Sequence, residues 1–243
     1  ISLDDQFLFT IKEKVTNSSD KKYNFYSYGQ IVRNQTPNIS GFYILHEGPI
    51  GVFNDTLKEV DYDDLHDAPA NTTNSTGGWI GISDKYWLTA LIPEQNKGYI
   101  GAFRHSRPNQ KDTYQADFML QVPQVVVPGA TGQSVSRFFA GAKEVHLLDR
   151  YEEQLGIARF DLAVDFGWFY FLTKPLFFVL DYFFKLLGNF GLAILLLTVC
   201  VKLIFFPLHK FTKSLIVHIC KFGVLYHSFG KCLLTGIVPF NNK

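Results

Sequence analysis

Cysteine is scarce in this sequence, and its three cysteines, Cys200, Cys220 and Cys232, all lie beyond residue 165. The first 165 residues therefore need no disulfide in any compartment. No CxxC pair and no Cys/His spacing of a metal site occurs, so neither a metal nor a cofactor is expected. A phosphate-binding glycine loop and a nucleophile elbow are also missing, which leaves the common nucleotide and acyl-transfer chemistries without a motif. There is one methionine and no internal repeat, and after Asp181 there is no acid. The chain begins at Ile1, with no basic n-region ahead of an apolar core, so no signal peptide is visible. Since "ISLDDQFLFTIKEKV" starts at once in strand-like alternation, further strands are expected to precede it. The sheet edge left without them would be an aggregation hazard.

What is present is unevenly distributed. The net charge of +1 combines −6 over residues 1–165 (15 Lys/Arg, 21 Asp/Glu) with +7 over residues 166–243 (8 Lys, Asp181). Hydrophobic residues make up 47% and aromatics 16%, with 24 Phe. That split implies two environments rather than one globule. The lysines of the basic part are scattered among apolar residues, so a membrane surface explains them and nucleic acid does not.

Residues 1–141 read as mainly β, an antiparallel β-sandwich. The runs "QFLFTIKEKV", "YNFYSYGQIVR", "GFYILHEGPIGVF", "GWIGISDKYWLTALIP", "KGYIGAFRH" and "YQADFMLQVPQVVV" are rich in Tyr, Phe, Val and Ile and are punctuated by turn residues. The polar stretch 67–78, "DAPANTTNSTGG", reads as a loop, and "PEQNKG" (93–98) and "PGATG" (128–132) as hairpin turns. The aromatics of "KKYNFYSYGQ" (21–30) are expected in the β core. Residues 142–166 read as a helical linker: apolar positions 145, 148, 151 and 155 have helical spacing, and Gly156 is expected to split the segment in two.

Residues 167–187 carry three charges in an aromatic run. Lys174, Asp181 and Lys185 are 7 and 4 residues apart, so at ~100° per residue they fall within roughly 40° of one another. One polar stripe on a Phe/Leu/Tyr helix is the pattern of a helix lying in the membrane interface. A span is the other reading, but three charges at mid-depth would cost several kcal/mol. Residues 189–208 form the transmembrane candidate, with 19 residues from Phe190 to Leu208 and one charge, long enough for roughly 28 Å. Lys210, Lys213, Lys221, Lys231 and Lys243 follow with no acid, which places that end in the cytoplasm and the acidic domain across the membrane.

The one charge in the run is Lys202. At a helix centre Lys costs about 2.5–3.5 kcal/mol. Two readings are open at this point: the stem snorkels so that the ammonium reaches the inner headgroups, or the ammonium faces a water-filled cavity and attracts an acidic partner.

The stretches "GWIGISDKYWLTALIP", "VVVPGATG" and above all "LDRYEEQLGIARFDLAVDFGWFYFLTKPLFFVLDYFFKLLGNFGLAILLLTVCVKLIFFPL" resemble the YidC/Oxa/Alb membrane protein insertases, in their Gram-negative form. The resemblance covers about residues 1–208. It implies a periplasmic β-supersandwich, related in shape to galactose-mutarotase-type enzymes, and an amphipathic helix on the periplasmic surface. It also implies a span whose basic residue lines a hydrophilic groove open to cytoplasm and lipid. Lys202 stands at that position. The implied function is insertion and chaperoned folding of nascent inner-membrane proteins, with or without the Sec translocon, and no bond chemistry.

After Leu208 the likeness stops. Residues 209–243 are a basic tail without the family's cytoplasmic hairpin or further spans, and read as a truncated or frameshifted end resting on the inner leaflet. One span cannot enclose a groove, so the chain is expected to be a fragment that does not insert proteins alone. Two rivals remain. A membrane-anchored docking module is one. A sugar-processing sandwich enzyme is the other, with His46, Glu47, His66 and His105 as its acid/base candidates; adjacent His46 and Glu47 would point to opposite faces of a strand.

Overall fold

The computed structural model describes residues 1–37, 46–68, 70–167 and 169–207. The tail at 209–243, with Cys220, Cys232 and its lysines, lies outside the described residues. The chain divides into two compact units, Ile1–Gly167 and Trp168–Lys243.

The first unit is built from antiparallel strands. They are β1 (Ser2–Leu3), β2 (Leu8–Thr16), β3 (Tyr23–Phe25), β4 (Tyr28–Asn34), β5 (Gly48–Phe53) and β6 (Thr56–Glu59). After helix α1 (Tyr62–Asp67) come β7 (Ala70–Thr76), β8 (Gly78–Ser83), β9 (Trp87–Ile92), β10 (Gly98–Ser106) and β11 (Thr113–Leu120). Strands β12 (Gln124–Val126) and β13 (Thr131–Ala142) then lead into helix α2 (Val145–Leu155). A seven-stranded sheet runs β1-β2-β13-β9-β8-β5-β6, a four-stranded sheet β4-β11-β10-β7, and a two-stranded ribbon pairs β12 with β3. The expected antiparallel β-sandwich is thus present.

The large sheet is covered on both faces, which is why β5 and β8 are buried along their whole length. Side chains alternate with the period of two of a strand. Val52, Trp79, Leu88, Ala90, Ile92 and Phe139 pack with Leu148, Tyr151, Ile157 and Phe160 of the linker. Their neighbours Phe53, Ile80 and Leu91 face the other way, onto Tyr99, Phe103, Tyr114 and Phe118 of the small sheet. Each such large side chain contributes about 1.5–3 kcal/mol through burial. Asn54 and Asp55, both with positive φ (48° and 62°), close the β5–β6 hairpin as a two-residue turn whose twist matches the strands.

Three local expectations fail. The supposed loop at 67–78 contains the end of α1 and all of β7, an edge strand registered on β10 from Ala70↔Arg104 to Thr76↔Gly98. Its inward residues are polar but satisfied: Lys58 Nζ donates to Asn71 Oδ1 at 2.6 Å and Thr73 Oγ1 at 2.9 Å, and Ser75 Oγ donates to the Gly77 carbonyl at 2.8 Å. Polarity therefore marks a charge-guarded edge rather than a loop. The segments 93–98 and 128–132 are not hairpin turns, because β9 and β10, and likewise β12 and β13, belong to different sheets. At the first crossing Gln95 stands in for a strand partner: its Oε1 accepts from Gly78 N (2.9 Å) and Ala158 N (3.1 Å), and its Nε2 donates to the Gly78 carbonyl (2.9 Å). The aromatics of 21–30 are not core either. Tyr23 and Phe25 are exposed because the β3–β12 ribbon has no sheet stacked on it to bury them, and Tyr26 and Tyr28, at the entry to the edge strand β4, are exposed as well.

Helix α2 buries Leu147, Leu148 and Tyr151 and stops at Gly156, whose φ of 64° suits glycine at a helix C-terminus. Beyond Gly156 the linker makes one 3₁₀ turn, Phe160–Ala163. Asp4 ties α2 to the start of the chain. Its Oδ1 accepts from Gln6 N (2.9 Å) and Leu8 N (2.8 Å), and the Tyr151 hydroxyl donates to its Oδ2 at 2.6 Å. Burial raises the Asp4 carboxyl, but the Tyr151 and backbone hydrogen bonds outweigh it and hold the group below the usual range. A depressed carboxylate pKa stabilises the fold above the unfolded value of about 3.9, and that gain is lost as pH falls through the folded value. We expect Asp4→Ala to lower stability by about 1 kcal/mol at neutral pH, with the difference shrinking as pH falls through the depressed folded-state value. Urea denaturation of the detergent-solubilised chain across that range checks this.

Candidate functional site

The second unit begins with helix α3 (Tyr170–Leu187). Pro175 lies inside it and removes one ladder donor without ending it. Gly188, with φ 64°, caps α3 by donating its N–H to the Phe184 carbonyl at 2.8 Å. Asn189 at once caps the next helix, its Oδ1 accepting from Leu192 N at 3.2 Å. That helix, α4 (Phe190–Pro207), has mean hydropathy 2.4 over 18 residues and is long and apolar enough to cross a membrane.

The charges of α3 gather on one side. Lys185 Nζ meets Asp181 Oδ2 at 2.7 Å, in the favourable i,i+4 order. Lys174 Nζ donates to the Tyr170 hydroxyl at 3.1 Å and lies 5.4 Å from that ring's centre. Tyr170 thereby extends the stripe, and the four residues fall within roughly 60° around the axis. No α3 residue is buried in this unit, and Phe171, Tyr182 and Leu186 are more than half exposed. So much aromatic and aliphatic surface is not a water-facing pattern.

Lys202 is exposed on α4 and has no ion-pair partner among the described residues. Thr198 is one turn before it on the same face, its hydroxyl donating to the Ile194 carbonyl at 2.8 Å. The five residues from Lys202 to Pro207 put the lysine about 7.5 Å along the axis from that end. Leu195, Leu203, Ile204 and Phe205 around it are exposed and apolar.

In the first unit the acid/base candidates separate. His46 and Glu47 precede β5 rather than lying in a strand, so the alternation expected of them does not apply. His46 sits 3.6 Å from Asp61 Oδ1 and hydrogen-bonds with the Pro49 carbonyl at 3.1 Å. His66 and His105 instead face each other, ring centres 4.4 Å apart, beside Asp112. The sequence gives no hint of this group, because its members come from a helix, a strand end and a loop. A groove of 690 Å³ lies elsewhere, lined by Glu13, Lys14, Tyr26, Val122 and Gln124 among others.

A two-sheet antiparallel sandwich is thus followed by an aromatic one-stripe helix and by a helix, with a single cation, that is long and apolar enough to cross a membrane. Residues 1–179 match the profile described as the YidC periplasmic domain. The chain is 51% identical over 212 residues to the membrane protein insertase YidC of Pelagibacter ubique, covering 87% of this chain and 37% of that protein. It is 44% identical to that of Rickettsia bellii over 209 residues (86% and 37%) and 45% identical to that of Nitrobacter hamburgensis over 218 residues (86% and 36%). The chain belongs to the YidC family. It spans little more than a third of the length of these curated relatives.

Proposed function

We propose that this chain supplies the periplasmic sandwich, the interfacial helix and the cation-bearing span of an inner-membrane protein insertase. The observation that carries this reading is Lys202, a single exposed ammonium on an otherwise apolar span-length helix. In that reading α4 crosses the bilayer with its Lys202 end toward the cytoplasm. Helix α3 lies in the periplasmic interface, turning Tyr170, Lys174, Asp181 and Lys185 to the headgroups and the opposite face, Leu172, Leu176, Val179 and Phe183, to the acyl chains. The sandwich is periplasmic, and the tail at 209–243 is cytoplasmic.

The mechanism is electrostatic and involves no bond chemistry. A nascent membrane protein with an acidic extracytoplasmic segment is drawn toward Lys202, and low-dielectric surroundings strengthen that attraction relative to water. Its apolar segment then partitions into lipid beside α4. Among the described residues one helix is long and apolar enough to span, so the other walls of a groove come from outside them. Partners of the complete assembly are nascent membrane proteins, lipid and Sec translocon components, and it also acts as a folding chaperone for nascent membrane proteins that arrive through the translocon. Nucleic acid has no place in this scheme.

A photoreactive phenylalanine analogue tests it. Placed at Phe205, one turn from Lys202, it should crosslink a ribosome-bound, acidic-tailed single-span protein. Placed at Ile204, about 200° around the helix from Lys202, it should label that protein several times less. Equal labelling at both positions refutes the reading.

A further inference from the structure

The sandwich carries a cluster that insertion does not use. His66 stands in the last turn of α1, His105 near the end of β10, and Asp112 at the return into β11. The ligand atoms of the three all lie within 4.8 Å of one another. Asp112 Oδ1 is 3.0 Å from His105 Nε2 and 3.9 Å from His66 Nε2.

The cluster is held by its surroundings. Asn109 and Gln110, with φ of 53° and 62°, turn the chain sharply between β10 and β11. The Asp112 carbonyl accepts from Gln35 N at 2.8 Å, which fixes where the aspartate leaves the loop. His105 is registered opposite Tyr114 in the β10–β11 ladder, and the Tyr114 ring stacks on both imidazoles. The Tyr114 hydroxyl hydrogen-bonds with His66 Nε2 and with Thr36 Oγ1, each at 2.7 Å. Arg107 Nε lies 3.2 Å from Asp112 Oδ1 and is the one competing cation, on a side chain 67% exposed.

We propose that His66 Nε2, His105 Nε2 and Asp112 Oδ1 form a binding site for a divalent transition metal, with zinc the best fit. Zinc takes imidazole and carboxylate ligands at about 2.0–2.2 Å in tetrahedral geometry, which sets its ligand atoms roughly 3.3 Å apart. The 3.0 and 3.9 Å separations bracket that value, and the third side, between the two imidazoles, is at most 4.8 Å, so side-chain shifts of up to about 1.5 Å complete the triangle. On binding, His66 gives up its bond to Tyr114, and Arg107 swings into solvent. A bound metal ion takes both imidazoles in their neutral form. Three protein ligands leave a fourth position for water or for a donor from another molecule. The metal would staple α1 to the β10–β11 hairpin at one end of the small sheet.

The test is zinc titration of the full, metal-stripped chain in detergent, with the thermal midpoint followed in parallel. Near pH 7.5 wild type should bind one more equivalent than Asp112→Asn or His66→Gln, which leaves any zinc held by the cysteines and histidines of the tail common to all. Mg²⁺ should not replace zinc in that equivalent. Zinc should raise the midpoint of wild type more than that of either variant. Asp112→Asn nearly preserves shape, and circular dichroism of each variant checks that it folds. Equal stoichiometry in wild type and both folded variants overturns the proposal.

Discussion

Lys202→Glu should reduce crosslinking of an acidic-tailed nascent chain at position 205 by about tenfold or more, equivalent to roughly 1.4 kcal/mol. At about 4 Å and an effective dielectric near 20, a unit pair is worth on the order of 4 kcal/mol. Reversal turns that attraction into repulsion, and water in the site reduces the observable part. Acidic and basic side chains both cost a few kcal/mol at mid-helix, so the substitution leaves the insertion of α4 itself little changed. Lys202→Arg keeps the charge and should keep most of the signal. A snorkelling lysine predicts a different pattern: Lys202→Ala would then label as well as wild type. Equal yields from Lys, Ala and Glu at this position would sink the groove reading and leave an anchored domain.

Trp79→Ala should have the largest effect on stability, about 3–5 kcal/mol. The indole is fully buried on the linker side of β8, edge-on to Phe160 at 5.5 Å, and its Nε1 donates to the Arg159 carbonyl at 3.3 Å. Arg159 holds φ at 50°, a left-handed conformation that the indole hydrogen bond to its carbonyl helps to hold. Removing the ring therefore opens a cavity and frees the linker together. Urea unfolding followed by circular dichroism gives the energy. Trypsin gives the location, since cleavage after Arg159 should precede global unfolding. A loss below about 1 kcal/mol, or no early cleavage, would contradict this account.

The sequence made the sandwich legible where strands obey period two with β-branched and aromatic residues, as in β8, β9 and β10. It was misleading where a strand is polar on both faces. The inward Asn71, Thr73 and Ser75 of β7 are paid for by Lys58 and by a backbone carbonyl, contacts with no local signature. Glycine and proline marked changes of direction at 93–98 and 128–132, but they do not say whether the next strand returns to the same sheet. The stripe on α3 was legible because helical spacing is a property of one segment. Its fourth member, Tyr170, was missed because an aromatic among aromatics gives no sign that its hydroxyl meets Lys174. His66, His105 and Asp112 are separated by 39 and 7 residues, and only the folded sheet brings them together.

The junction between α3 and α4 is two residues long. Gly188 closes one helix and Asn189 opens the next, while Phe184 and Phe190 touch across the bend with ring centres 5.8 Å apart. A connection this short has no slack. If α3 lies in the interface and α4 crosses the bilayer as proposed, rolling or sinking of α3 would be delivered to α4 as a torque, and the azimuth of Lys202 would turn with it. Lipid composition at one surface would then have a mechanical route to the position of a charge near the other.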